Sequence, residues 1–235
     1  AILLAACGGG GSDPGLPRDY PTPVLVSDSL RFAALDTSQA HACGTTFDGR
    51  TWCWGMNEYG ELGTTAAIDL CDIPGITLVA CTGTPQRVTG APAFAALASS
   101  RGHGSSCGLT AAGAAWCWGF GLGGQLGDGR SADSAQAVAV AGGHQFAMLR
   151  MSSSSLASCG LTPSGEGWCW GPFPDLWGNG AGVGSNVPVR VDWGRGFATL
   201  DLGELHGCGL TADGQAWCWG SNWYGQLGVG SAGGS

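Results

Sequence analysis

Residues 208–228 read CGLTADGQAWCWGSNWYGQLG, and this stretch decides the fold because it recurs. Cys43 opens CGTTFDGRTWCWGMNEYGELG, Cys107 opens CGLTAAGAAWCWGFGLGGQLG, and Cys159 opens CGLTPSGEGWCWG. Successive copies start about 50 to 65 residues apart, the spacing of a propeller or repeat array and not of one irregular globule.

Each copy reads as a hairpin. In the last, Ala212-Asp213-Gly214 separates Thr211 from Gln215, a three-residue loop with glycine at its left-handed position. Gly49, Gly113 and Gly165 hold the same place. If Thr211 faces Gln215, counting outward sets Cys208 opposite Cys218, close enough for a disulfide. The same count opposes each indole to a small residue: Trp217 to Gly209, Trp219 to Gly207, Trp52 to Gly44, Trp116 to Gly108 and Trp168 to Gly160. That spacing predicts room for the indole to lie across the neighbouring strand. The cysteines then point to the opposite face, because side chains alternate along a strand.

Two further segments accompany every hairpin. Upstream lies Phe-x-x-Leu, at Phe32–Leu35, Phe94–Leu97, Phe146–Leu149 and Phe197–Leu200. Before it comes a short valine segment, at Pro23–Val26, Pro85–Val88, Ala137–Val140 and Pro188–Val191. Four strands per unit, four units and no helical periodicity predict an all-β blade array.

The series Phe-x-x-Leu, His-x-Cys-Gly-Leu-Thr, Asp-Gly, Trp-x-Trp-Gly, Asn-x-Tyr-Gly-Gln-Leu-Gly and Pro-x-x-Val resembles the regulator of chromosome condensation repeat, in the cysteine-rich form of bacterial surface and secreted proteins. The resemblance spans about residues 21–230 and implies a β-propeller, with repeats at about 21–83, 84–134, 135–186 and 187–235. Family members typically close seven blades. Four are expected here, as a fragment or open arc of a larger ring, or as a smaller ring.

At the start, Leu4-Ala-Ala-Cys7 resembles a lipobox: residues 1–6 as the remnant of a lipoprotein signal peptide, Cys7 as the lipidated residue, and 7–20 as a glycine-rich tether. The expected location is the cell envelope, lipid-anchored outside the cytoplasm, or secreted. Of the eleven cysteines, setting Cys7 aside leaves five pairs of one spacing: 43/53, 71/81, 107/117, 159/169 and 208/218. In an exported chain this reads as a disulfide framework. Zinc would need Cys-x-x-Cys knuckles or clustered histidines, which the sequence lacks, so no metal and no cofactor are expected.

Acids outnumber arginines 17 to 9, lysine is absent, and the net charge is −8, which argues against binding a phosphate backbone. No nucleic acid is expected, and the chromatin and GTPase-exchange roles of eukaryotic family members are not carried over.

Departures from the repeat are the candidate binding loops. Residues 64–83, TTAAIDLCDIPGITLVACTG, form an insertion with its own cysteine pair, and Ile68, Asp69, Asp72, Ile73 and Ile76 are its candidate contact residues. In the third unit Pro172-Phe-Pro-Asp-Leu-Trp177-Gly178 replaces the tyrosine-containing run, so Phe173 and Trp177 are either exposed anchors or a cap folded back on the blade. Trp223 is the exposed aromatic expected in the fourth unit, with Trp217 and Trp219 in the core. His41 and His206 stand where other copies have Ser105 and Ala157, which marks them as structural.

The expected function is a propeller that binds an extracytoplasmic protein or glycan without catalysis. Alternatives are a structural or adhesion component of the envelope, and a glycosidase-like propeller. The latter would need converging arginines, and the nine present follow no repeat.

Overall fold

The computed structural model describes residues 22–233, except 67, 68, 74, 75, 101, 103, 155, 156, 179 and 181, and except the side chains of 72, 73, 76 and 77. The lipobox cysteine Cys7 lies outside the described residues, as does Ile68. No helix among those described is long and apolar enough to cross a membrane.

Four antiparallel sheets form in chain order. The first comprises β1 (Phe32–Thr37), β2 (His41–Thr46), β3 (Thr51–Met56), β4 (Asp69–Ile73) and β5 (Ile76–Arg87), ordered β1-β2-β3-β5-β4. The second is β6 (Ala96–Ser99), β7 (Ser105–Leu109), β8 (Ala115–Gly119) and β9 (Ser134–Ala139). The third is β10 (Met148–Met151), β11 (Ser158–Leu161), β12 (Gly167–Gly171) and β13 (Ser185–Val191). The fourth holds three strands, β14 (Thr199–Leu202), β15 (His206–Leu210) and β16 (Ala216–Gly220). These are four blades of a propeller, and their innermost strands β1, β6, β10 and β14 line one central cavity.

The hairpin register follows from the turn. Gly49, Gly113, Gly165 and Gly214 have φ of 80°, 84°, 81° and 86°, the left-handed conformation that glycine adopts without penalty. Thr211 N–H donates to the Gln215 carbonyl at 3.0 Å and Gly214 N–H to Thr211 at 2.9 Å. The Thr211 hydroxyl closes the loop onto the Asp213 carboxylate, as Thr46 does onto Asp48, and these bonds hold both carboxyls below their ordinary range. From there Cys43 faces Cys53, Cys107 faces Cys117, Cys159 faces Cys169 and Cys208 faces Cys218. All four pairs are disulfides with Cα atoms 4.0–4.1 Å apart, and Cys71–Cys81 is the fifth, at 5.8 Å.

Two details differ from the sequence reading. The valine segments form the fourth strand of the preceding sheet, beside the Trp-x-Trp strand, so sequence repeat and blade are offset by one strand. Residues 23–26 correspondingly form no strand. The second difference concerns the glycines opposite the first Trp of each copy. The space above them belongs to the Phe of the Phe-x-x-Leu segment that leads into the innermost strand, not to the opposed indole. A Cβ on Gly44 would stand 2.6 Å from Phe32 Cδ1, on Gly160 2.5 Å from Phe146 Cδ1, and on Gly209 2.7 Å from Phe197 Cδ1. Above Gly207, which opposes the second Trp of its copy, the opposed indole of Trp219 does take the room.

The core sits between blades. Cys43, Cys53 and Leu62 of the first pack with Phe94 and Trp118 of the second. Cys107, Cys117 and Leu126 meet Phe146 and Trp170, while Cys159, Cys169 and Leu176 meet Phe197 and Trp219. The disulfide face of each blade thus meets the Trp and Phe face of the next. This makes the glycines sensitive to size. Gly160→Ala forces the Phe146 ring to move in a close-packed junction and is expected to destabilise the fold by about 1–3 kcal/mol. Urea denaturation with disulfides intact measures this, and Phe146→Leu in the same chain should recover part of the loss.

Candidate functional site

The blade junctions share one contact. Trp118 Nε1–H donates to the Glu61 carbonyl at 2.8 Å, Trp170 to Gln125 at 2.9 Å, and Trp219 to Leu176 at 2.8 Å. Each acceptor stands two residues before a left-handed glycine, in Glu61-Leu62-Gly63, Gln125-Leu126-Gly127 or Leu176-Trp177-Gly178, the last at the end of a short 3-10 helix over Pro174–Trp177. A Cβ on the closing glycine would stand 3.1 Å from Trp118 Cδ1, 2.7 Å from Trp170 Nε1 or 2.6 Å from Trp219 Cδ1, so glycine makes room for the indole. The irregular third unit therefore reaches the same contact by another sequence, through a 3-10 helix. Trp177, a candidate surface anchor, is only 1% exposed and occupies the place of Leu62 and Leu126. It is the cap and not an anchor.

Two buried titratable groups sit at the first junction. His41 Nδ1 lies 2.6 Å from Ser38 Oγ, and Nε2 lies 2.7 Å from Ser106 Oγ in the second blade. Burial pulls its pKa down to about 4, so it bridges the blades as a neutral ring, in the structural role the sequence assigns it. Glu61 is fully buried; Oε2 accepts the Tyr59 N–H at 2.7 Å, and Oε1 has no hydrogen-bond partner among the described residues. Burial pushes its pKa up to about 7.

The insertion is a stapled hairpin and not an irregular loop. β4 pairs with β5, and β5 pairs with β3, so the insertion adds a fifth, outermost strand to the first blade. Asp69 is exposed. Asp72, Ile73 and Ile76 lie in these strands, with side chains outside the described residues. Leu70 and Leu78, 62% and 60% exposed, are the apolar residues presented here, and sequence reading missed them. They share a face, because Leu70 is paired with Ala80, two residues along from Leu78. Strand alternation within the insertion was the available signal.

Of the remaining candidates, Phe173 is 45% and Trp223 70% exposed. Trp217, expected in the core, is 40% exposed because the fourth sheet ends at β16 and no strand lies beside it among the described residues. The Arg195 guanidinium covers its ring instead, 3.3 Å from the centroid.

The central cavity, of about 550 Å³, is lined by Asp36, Ser99, Arg150, Asp201 and His206 among others. Arg150 Nε lies 3.7 Å from Asp201 Oδ1. Asp36, Ala98, Arg150 and Asp201 each follow the Leu of Phe-x-x-Leu, so aligning the four copies at that position would have found them.

Models of the regulator of chromosome condensation (RCC1) repeat match residues 48–109 and 197–226. The chain carries regulator of chromosome condensation repeats. Mouse E3 ubiquitin-protein ligase HERC2 is 28% identical over 200 residues, which cover 83% of this chain and 4% of that protein. Among solved structures, human WBSCR16 matches with a TM-score of 0.72 at 19% identity, over 88% of this chain and 52% of that one. Prp20p of Saccharomyces cerevisiae matches with a TM-score of 0.67 at 17% identity, over 92% of this chain and 50% of that one. The chain therefore spans about half of these propellers and a small part of the ligase.

Glu61 makes the repeat junction pH-sensitive. Its carboxyl ordinarily titrates at 4.5 and in the fold at about 7, so between these values the folded chain holds a proton that the unfolded chain releases. Its contribution is complete below about 4.5, declines as pH rises, and is lost above about 7. Glu61→Gln, which installs the residue found at Gln125 and Gln226, is expected to match the parent near pH 4. By pH 8 it should be more stable by about 1–3 kcal/mol. Urea titrations of both proteins across this range check it; a difference independent of pH contradicts it.

Proposed function

We propose that this chain is a non-catalytic protein-binding module of an oxidising, extracytoplasmic compartment, held at the cell envelope by lipid on Cys7. The observation that carries the reading is the β4–β5 hairpin, an addition to the repeat that its own disulfide holds rigid and that presents Leu70 and Leu78 outward. A stapled hairpin loses little conformational freedom when it binds. Aliphatic side chains gain by leaving water for an apolar counterpart, which favours a protein partner over a hydroxyl-rich glycan. Five disulfides suit a compartment where thiols oxidise. Prp20p, similar in fold, has binding properties to Gsp1p and histones. That likeness supports a propeller as a binding surface and names no partner here.

The test is capture on the immobilised, oxidised chain from envelope proteins of the producing organism. A specific protein should be retained, and Leu70→Asp with Leu78→Asp should reduce retention by about tenfold or more. Equal retention by the double variant, or none above a blank surface, overturns the reading.

A further inference from the structure

The outer rim of the first blade ends in an open strand edge. β4 is outermost in its sheet, and no strand among the described residues lies beyond it. The outer strands of the next two blades are guarded. In β9 the Ala137 N–H is donated to the Thr89 carbonyl at 3.3 Å. In β13 residue 188 is a proline, and the Asn186 carbonyl accepts the Gly129 N–H at 2.9 Å. β4, which reads DLCDI, has no proline. Blades meet face to face, so a further blade at either end of the arc would cover a sheet face and leave this edge as it is.

The ladder fixes which backbone groups the edge presents. Asn57, just past β3, donates its N–H to the Ala80 carbonyl at 2.8 Å, so Ala80 turns its backbone groups to that side. Opposed residues of an antiparallel pair either exchange both bonds or turn both away. Ala80 is opposed to Leu70, so the Leu70 N–H and carbonyl point away from β5. The irregularity further along puts its extra residue on β5: Cys71 to Ile73 is matched by Val79 to Ile76. Alternation along β4 is therefore unbroken, and the backbone of residue 72 also turns outward.

Few ligands match such an edge. A row of backbone donors and acceptors is met by another extended backbone, and the flanking side chains select its sequence. Leu70 and Leu78, 62% and 60% exposed, lie on one face of the hairpin, and the exposed Asp69 lies on the other. A strand with aliphatic residues on the first face and basic residues on the second complements both. A second copy of β4 does not, because it brings only acidic residues to the edge.

We propose that β4 is a strand-addition site. An extended segment of a partner protein, alternating aliphatic and basic residues, pairs with the outer edge at Leu70 and continues the apolar face of the hairpin. This rests on the hairpin being the docking element and adds how the partner is held.

The probe is a short capped peptide of alternating valine and lysine, added to the isotope-labelled, oxidised full chain and followed by NMR. Bound peptide should slow hydrogen exchange at the Leu70 amide by about tenfold or more. Leu70→Val keeps the outward donor and should bind within about threefold of the parent, whereas Leu70→Pro removes it and should bind about tenfold more weakly. Protection of the Val79 amide, opposed to Cys71, shows that the hairpin of the proline variant is intact. Methylating the peptide's valine nitrogens, which face Leu70 in this pairing, should cost a similar factor without altering the chain. The proposal is overturned by a peptide that does not bind, by unchanged exchange at Leu70, or by a methylated peptide that binds as well. Equal weakening by Leu70→Val and Leu70→Pro, with Val79 protected, overturns it too. In each of these cases a protein captured by the parent and lost with Leu70→Asp and Leu78→Asp leaves the hairpin reading standing, so the two fail separately.

Discussion

The structure depends on an indole seated beneath the turn of the preceding blade. Trp118 and Trp170 are fully buried there, and each aims its N–H at one backbone carbonyl. Burying a side chain of that size, some 150–250 Å² at roughly 25 cal/mol per Å², contributes about 4–6 kcal/mol. The hydrogen bond adds only about 1 kcal/mol net. Apolar burial therefore holds the blades together, and the hydrogen bond decides where each indole sits. The remaining features serve that seat: glycine beneath it, a disulfide face opposite, and a Phe ring alongside.

The disulfides act at another level. Each closes a short hairpin within a blade, so it constrains local register and not the ring. Association between blades is left to side-chain packing. A rigid unit joined by one repeated apolar contact tolerates additions at its outer edge, and the β4–β5 hairpin is such an addition.

How much of this the sequence disclosed follows from how local each feature is. Cys208 opposite Cys218 depends only on a three-residue loop and strand alternation, so counting from Gly214 finds it. The burial of Trp177 depends on a proline-containing turn converging on the path of Gln125-Leu126-Gly127, and its spacing gives no hint of that. The exposure of Trp217 depends on what lies beside β16, a fact of the sheet and not of the motif. Phe146 filling the space above Gly160 joins β11 to the segment before β10, and the pattern offered two aromatics for the place. Asp36, Arg150 and Asp201 share a cavity through positions that vary between copies, where a search for the shared motif does not look.

The central claim is that the indoles of Trp118 and Trp170 are held at the junctions. Indole hydrogen exchange, followed by NMR, tests it residue by residue. The account predicts that these two N–H groups exchange only through large-scale opening, slowly and with similar protection, while that of the 70%-exposed Trp223 exchanges at once. Exchange at Trp118 and Trp170 as fast as at Trp223 would contradict it.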